Sequence, residues 1–355
     1  MKSRYLEQCV ACLLALTIGI LPLAGQGIKK EPTVKVKVDL VSIYVSVLNP
    51  YTGGMVTGLG PGQFRVFEGP GCKPGKISKK NCIEQEIDHV SVTDVPMSIG
   101  IVFDSSGSIG DKLPQARSAM AEFMKTSNPL DEFCLIDFVD GNVRLVSDFT
   151  SAEDMEPKLL QLGSKGMTPL LDGIYLGLQK LEAKRREEHE NINALKRQGA
   201  TPSEIEKATR RRALLIVSDG GDNHSRYNEN HIKDLSKEGD TQVEAIGIYD
   251  PISGRSRTPE ELNGPELLQR ITELTGGHVF DVTNPGDIVD VAVKVSGELK
   301  TQYALFFKLD HSLDKNEAKD GKRFVFRKVA VTVDAPKGMP PLKIYAKDGY
   351  YKSTN

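Results

Sequence analysis

Apolar residues follow two different patterns along this chain, and the change between them divides the sequence. In residues 33–48 polar and apolar residues alternate and β-branched side chains dominate, which predicts a strand with one buried face. Shorter runs of the same kind occur at 64–68 and 87–92. Residues 33–95 are therefore predicted to form an N-terminal β segment.

Residues 96–298 show continuous apolar runs separated by stretches with helical spacing. The runs 98–103 and 213–217 are long enough for strands, and a strand that is apolar throughout is buried on both faces. Strands of this kind alternating with helices predict a doubly wound, mostly parallel α/β sheet. The other predicted strands are 132–139, 142–149, 243–249 and 278–282, and the predicted helices are 113–124, 152–162, 170–183, 229–236, 262–275 and 286–300.

Residues 299–355 return to β patterns, with strands predicted at 303–309, 324–333 and 343–346. This C-terminal segment is small for an independent sheet domain, and so is 33–95. We therefore expect the two segments to pack together as one flanking, β-sandwich-like module.

Residues 184–212, inside the α/β region, are highly charged and are interrupted by Gly199 and Pro202. The pattern is typical of a charged helical insertion, either an extended helical hairpin or a partly disordered segment. It can be a solvated surface excursion or a protrusion that binds a partner.

The N-terminus is patterned for export. Lys2 and Arg4 precede an apolar stretch, 10–24, that is followed by small residues. Residues 1–26 are therefore interpreted as a signal peptide, which implies a secreted or periplasmic protein. An uncleaved membrane anchor is the alternative, although the stretch is short for a span of about 20 residues. No other segment is apolar enough to cross a membrane, so no span remains after cleavage.

Charge and cysteine content narrow the setting further. The 355-residue chain has 46 basic and 48 acidic residues and a net charge of −2, which gives no support to nucleic-acid binding. Cys72 and Cys82 bracket a polar loop, and in an exported protein a disulfide closing it is expected. Cys134 lies in an apolar run and is predicted to be a buried free thiol.

Oxygen-bearing side chains stand where the apolar runs end. Asp104 and Asp219 follow two of the buried strands, and ligand sites of such sheets form outside the carboxyl ends of the strands. Ser106 and Ser108 alternate with Asp104, and Thr168 lies in a Gly-flanked loop. Two carboxylates and three hydroxyls suit Mg²⁺, or Mn²⁺ or Ca²⁺. Without sulfur or imidazole in the set, zinc is not expected.

This arrangement closely resembles the metal-ion-dependent adhesion site of von Willebrand factor type A domains. The resemblance is carried by Ile101–Ser108, Gly166–Leu170 and Leu215–Gly220, and it covers roughly 96–298. It implies that the five residues hold the ion directly or through water. Ser218 stands where many members have Thr. The implied function is cation-dependent binding of a protein, or of a surface polymer, through an acidic group that completes the metal's coordination.

The flanking β segments resemble those of one subgroup of proteins that contain such a domain. Phe64–Gly69, Gln302–Leu305 and Gly349–Tyr351 look like the bacterial, largely acidobacterial, von Willebrand factor A-related proteins. No specific activity follows from that likeness.

Two further groups lie close to the predicted ligands in the sequence. Asp222, Asn223 and His224 follow Asp219 and are either a rim that selects the ligand or loop-capping residues. Asp172 either orients the metal's waters or is a first-turn helix charge.

Catalytic motifs are missing from the sequence. There is no Gly-x-Ser-x-Gly elbow and no His-Glu-x-x-His pair, so an enzyme is not predicted. Two alternatives to an adhesion module stay open. One is a structural or assembly protein whose metal only stabilises the fold, and the other is a metal-assisted hydrolase.

Overall fold

The chain is described by a computed structural model that covers residues 40–73, 76–77, 81–92, 95–163, 166–201, 204–205, 208–239, 241–249, 258–309 and 324–353. These residues belong to one unit, Asp39–Asn355. The predicted signal peptide and the start of the first predicted strand lie outside the described residues.

The strands and helices of the described residues follow the order along the chain that the sequence patterns predicted. The strands are β1 (Leu40–Leu48), β2 (Phe64–Glu68), β3 (Cys72–Lys73), β4 (Lys76–Ile77), β5 (Ile83–Gln85), β6 (Ile87–Val92), β7 (Met97–Phe103), β8 (Glu132–Val139), β9 (Asn142–Thr150), β10 (Arg211–Ser218), β11 (Gln242–Ile248), β12 (Val279–Val282), β13 (Tyr303–Lys308), β14 (Phe324–Val333), β15 (Lys343–Ala346) and β16 (Gly349–Ser353). The helices are α1 (Leu113–Thr126), α2 (Ala152–Leu160), α3 (Leu170–Arg197), α4 (Glu229–Gly239), α5 (Pro259–Glu273) and α6 (Ile288–Lys300).

Six strands form a central sheet in the order β12-β11-β10-β7-β8-β9. Neighbouring strands are parallel except for β9, which pairs antiparallel with β8 across a tight turn. The turn residues Asp140 and Gly141 both have positive φ, which a short reversal of this kind needs. The predicted α/β class with a mostly parallel doubly wound sheet is confirmed.

Helices cover both faces of this sheet. Ile99, Ile101 and Phe103 of β7 pack into a core with α1, α2 and α6, whereas Val102 packs into a second core with α3, α4 and α5. Successive side chains of a strand point to opposite faces, so an apolar run such as β7 supplies both cores.

Helix α3 lies close to the sheet because two of its residues lack a Cβ. A Cβ on Gly177 would come within 2.6 Å of Leu214, and one on Gly173 within 2.6 Å of Phe138. Glycine at these positions lowers helix propensity but allows the close packing that carries α3 across β7, β8 and β10.

Eight further strands form two antiparallel four-stranded sheets, ordered β15-β1-β13-β6 and β16-β14-β2-β5, and β3 and β4 pair as a separate two-stranded sheet. The apolar faces of the two four-stranded sheets share one core that includes Val45, Val66, Leu305 and Val329. Strand β1 pairs with β13, so the N-terminal and C-terminal segments contribute to the same sheet. This two-sheet unit is called the β module below.

The charged stretch is helical as far as Arg197, but two element boundaries differ from the prediction. Helix α3 does not end near 183 but continues to Arg197, and β10 begins at Arg211, inside the predicted insertion. No Gly or Pro interrupts the chain between Leu178 and Arg197, and ion pairs such as Glu182–Arg185 lie one helical turn apart. The start of the highly charged residues therefore does not coincide with the end of helix α3.

Cys72 and Cys82 form a disulfide, with Cα atoms 5.4 Å apart, and Cys134 is buried and free. Both cysteine predictions are confirmed. Among the described residues, no helix has the length and apolar character that a membrane crossing requires.

Candidate metal site at the carboxyl edge of the central sheet

The two predicted carboxylate ligands follow adjacent parallel strands. Asp104 comes directly after β7 and Asp219 directly after β10, and the main-chain N–H of Asp104 donates to the carbonyl of Val217 at 2.8 Å. Asp104 is fully buried and Asp219 is 8% exposed. The strand pairing therefore brings together two residues that are far apart in the sequence.

Both carboxylate oxygens of Asp104 accept hydrogen bonds. Oδ1 accepts the main-chain N–H of Ser106 at 2.9 Å, and Oδ2 accepts the hydroxyl of Ser218 at 2.6 Å. The neighbouring Ser105 donates its hydroxyl to the carbonyl of Phe138 at 3.0 Å, which fastens the loop to the end of β8. Asp104 thus has a fixed orientation.

A chain of hydrogen bonds links four of the five predicted ligands. The Ser106 hydroxyl also bonds to Asp104 and lies 3.0 Å from the Ser108 hydroxyl, which in turn bonds to Asp219. Asp219 Oδ1 accepts the N–H of Gly221 at 2.9 Å. The loop after β7 and the loop after β10 are therefore in direct contact through their side chains. These five residues, Asp104, Ser106, Ser108, Thr168 and Asp219, are called the apical site below.

Hydrogen bonds of its main chain hold Thr168 at this edge of the sheet. Its N–H donates to Asn223 Oδ1 at 3.0 Å, and its carbonyl accepts the N–H of Asn223 at 3.2 Å. Asp222 accepts the N–H of Leu171 at 3.3 Å. Asn223 and Asp222 therefore fasten the Thr168 loop to the loop that carries Asp219.

Asp172, in the first turn of α3, also fastens the loop that follows Asp219. Its Oδ1 accepts the main-chain N–H groups of Arg226 and Tyr227, both at 2.8 Å, and its Oδ2 pairs with the Arg226 guanidinium. These contacts are those of a loop anchor, a role that the sequence did not indicate for Asp172.

The turn after Asp219 depends on glycine. Gly220 has φ of 81°, in the left-handed region. A Cβ on Gly264 of α5 would overlap the carbonyl oxygen of Asp219 and the main chain of Gly220. The position of Asp219 is thus set partly by the close approach of α5.

Electrostatics at the apical site favour a cation. Burial, and then the charge of Asp219, raise the pKa of Asp104 to about 6. Burial also raises the pKa of Asp219. The carboxylate of Glu261 adds to that rise, and the ammonium of Lys112 opposes it. Sequence reasoning missed Lys112 and Glu261, since neither belongs to a motif.

The side chains present fit a hard divalent ion. Every member of the set offers oxygen, and two adjacent buried carboxylates would balance the charge of one M²⁺. A carboxylate has about four acceptor positions, and the hydrogen bonds to Asp104 and Asp219 leave capacity on both side chains for an ion or its waters. Gly107, between Ser106 and Ser108, is exposed, so the site has access to solvent.

No family model matches the sequence, and no curated protein matches it. Solved structures do match. They include von Willebrand factor type A from Catenulispora acidiphila (10% identity, 88% of this chain and 74% of that one, TM-score 0.42). Others are the conserved hypothetical protein BatB from Bacteroides thetaiotaomicron (17%, 58% and 100%, 0.39) and the vWF domain of the type V pili tip protein Mfa5 from Porphyromonas gingivalis (12%, 59% and 96%, 0.39). At these TM-scores the likenesses carry no argument about function, so the proposal below rests on this chain's own residues.

Proposed function

We propose that this protein is a non-catalytic binding module that holds Mg²⁺, or Mn²⁺ or Ca²⁺, at the apical site and uses it to engage an acidic group of a protein partner. The observation that carries the proposal is the hydrogen-bonded chain from Asp104 through Ser106 and Ser108 to Asp219. It gathers oxygens of the type and number that such an ion takes.

Asp104 and Asp219 would supply the negative charge, and Ser106, Ser108 and Thr168 would supply neutral oxygens. When bound, the ion offers a Lewis-acidic position that a partner's carboxylate can occupy. Three of the five ligands are neutral, so the loaded site carries no excess negative charge to repel that carboxylate. Asn223, Asp222 and Asp172 hold the loops in place for this purpose.

The first experiment is calorimetric titration of the chelator-treated protein with Mg²⁺, Mn²⁺ and Ca²⁺. We expect one equivalent to bind to the wild type and binding to weaken by more than about 100-fold in Asp104→Ala, because a ligand and half of the charge are lost. Asp111→Ala is the matched control, since Asp111 is an exposed carboxylate on the adjoining 3₁₀ helix, Gly107–Lys112.

The second experiment separates adhesion from a purely structural metal. A peptide array pairs each Asp- or Glu-containing peptide with its Asn or Gln counterpart and is probed in Mg²⁺ and in chelator. Binding confined to acidic members and to Mg²⁺ supports the proposal. Metal binding in the first experiment with no such preference in the second would assign the ion to fold stability instead.

A further inference from the structure

A second group of buried ionisable side chains lies at the opposite edge of the central sheet. Glu244 is near the start of β11, His278 precedes β12, and Glu298 is in the last turns of α6. The glutamates are 1% and 3% exposed, and the imidazole is 11% exposed. One ligand atom from each side chain lies within 4.8 Å of the others. These three residues are called the basal cluster below.

Distances within the basal cluster do not fit direct hydrogen bonds. His278 Nδ1 lies 3.6 Å from Glu244 Oε2 and 3.6 Å from Glu298 Oε1, whereas an N–H···O bond spans about 2.7–3.2 Å. Nδ1 of His278 and Oε1 of Glu298 are both buried, and neither has a hydrogen-bond partner among the residues that the structure describes. Two atoms that each lie about 2.0–2.1 Å from a tetrahedral ion are about 3.4 Å apart. The spacing therefore fits ligands around an ion better than it fits a hydrogen-bonded triad.

The imidazole is held in a fixed orientation. Its ring stacks on Tyr345 of β15 at 4.1 Å and against Phe280 at 4.2 Å, and its own main-chain N–H donates to Glu244 Oε2 at 2.8 Å. Burial, and then the nearby Lys343 ammonium, lower the pKa of His278 to about 4. At neutral pH the ring is uncharged, which is the form that binds metals.

Each carboxylate of the basal cluster also has a hydrogen-bond partner outside the cluster. Glu244 Oε1 accepts a hydrogen bond from Gln242 at 2.6 Å, and Glu298 bonds to the hydroxyl of Ser46 in β1. Gln302 donates to both of these outer residues, at 2.8 Å each. Partners of this kind orient ligands and are a regular part of protein metal sites.

Negative charge at the basal cluster is not balanced within it. Burial, together with the repulsion between Glu244 and Glu298, raises the pKa of Glu244 well above its usual range, and burial raises that of Glu298 to about 7. The ammonium of Lys343 acts on His278 and Glu298, but Lys343 is exposed, so solvent weakens its effect. A divalent ion would compensate both carboxylates at once.

We propose that Glu244, His278 and Glu298 form a second metal site, for a divalent transition metal of the zinc class. One imidazole with two carboxylates suits Zn²⁺, or Mn²⁺ or Fe²⁺, and differs from the all-oxygen apical site. The ion would join β11 to the end of α6, beside Ser46 and Tyr345 of the β module. It would thus brace the junction between the α/β region and the β module. The inference does not depend on the proposed function of the apical site.

The test uses the full-length chain, stripped with chelator and kept in excess Mg²⁺ to occupy the apical site. Zn²⁺ is titrated by calorimetry, and Co²⁺ is added as a spectroscopic probe of coordination. We expect the protein to bind one equivalent of Zn²⁺. The Co²⁺ complex should show the visible absorption that is typical of a low coordination number. His278→Gln and Glu298→Gln should each weaken Zn²⁺ binding by more than about 100-fold.

Two controls make the result specific. His189→Gln removes an exposed imidazole on α3 and should bind Zn²⁺ as the wild type does. Asp104→Asn/Asp219→Asn disables the apical site and should also leave Zn²⁺ binding unchanged. Failure of the wild type to bind Zn²⁺ in Mg²⁺ would overturn the proposal, and it would indicate that the two glutamates share a proton. Unchanged Zn²⁺ binding in both His278→Gln and Glu298→Gln would overturn it as well.

Discussion

The two edges of the central sheet hold buried carboxylates in different ways. At the carboxyl edge, the Asp104 and Asp219 side chains lie on loops, and serine hydroxyls and main-chain N–H groups bond to them. At the amino edge, Glu244 and Glu298 lie on a strand and a helix, and they face the His278 imidazole, whose Nδ1 has no hydrogen-bond partner in the described part of the chain.

This difference is the reason that two kinds of ion are proposed for one sheet. Loops that follow parallel strands bring many small oxygens together, and such a set suits a hard ion with an exchangeable position. A strand and a helix fix fewer, larger ligands, and a set that includes nitrogen suits a borderline metal. The first arrangement includes the exposed Gly107, whereas the second lies against Tyr345 of the β module.

Among substitutions outside the predicted metal ligands, Gly264→Ala is expected to affect the apical site most strongly. The new methyl group would overlap the Asp219 carbonyl and displace the turn at Gly220, which should lower stability by about 1–3 kcal/mol and weaken Mg²⁺ binding by about 10- to 100-fold. Thermal unfolding and calorimetry measure the two effects, and Zn²⁺ binding should stay at its wild-type value.

Gly297→Ala is the matched control for that variant. Gly297 lies in α6 beside Glu298, and a Cβ there would meet no atom of the described residues within 4 Å. It should raise stability by up to about 1 kcal/mol through helix propensity. If Gly264→Ala left Mg²⁺ binding intact, the close approach of α5 would not position Asp219.

Ser218→Ala should have a smaller effect, confined to the apical site. It removes the 2.6 Å hydrogen bond to Asp104 Oδ2 and the acceptor for the Gly220 N–H. We expect Mg²⁺ affinity to fall about tenfold, as when an outer partner of a metal ligand is lost. Ser218→Thr retains the hydroxyl and should bind nearly as the wild type does. Equal weakening in both variants would show that packing, not the hydrogen bond, is responsible.

Acidification should give the smallest change. Since the pKa of Asp104 is about 6 without metal, a proton competes with the ion, and at pH 5.5 Mg²⁺ affinity should be about fourfold below its value at high pH. The raised pKa also means that Asp104 stabilises the metal-free fold below pH 3.8 and that this contribution is lost as pH rises through about 6. Chelated protein should therefore lose stability over that window, and Mg²⁺ should restore it. A flat affinity between pH 5.5 and 7.5 would contradict the assignment of Asp104 as a ligand.

Much of the fold could be predicted from hydrophobic periodicity. The runs at β7 and β10 are apolar throughout because helices cover both faces, and this property marks a parallel sheet directly. The end of α3 could not be predicted so well. Its charged second half is stabilised by ion pairs between neighbouring turns and by contacts such as Glu188–Arg212, which depend on the folded chain.

The apical site was recognisable because its residues occur in short motifs at strand ends, although metal binding there is still a prediction. The basal cluster was not recognisable. Glu244, His278 and Glu298 come from three separate elements, and each alone looks like an ordinary polar residue in its own strand or helix. Lys112, which lies near Asp219, was missed for the same reason.

The sequence by itself determined the α/β class, the order of the elements, and the oxygen-rich loops after two strands, because periodicity and motif spacing are local properties of the chain. Only the tertiary structure decided which strands are neighbours and that α5 packs closely against the Asp219 turn. It also decided that an imidazole lies near two carboxylates at the amino edge of the central sheet. Those contacts join residues distant in sequence, and they form only when burial of the two helical layers and the β module brings them together.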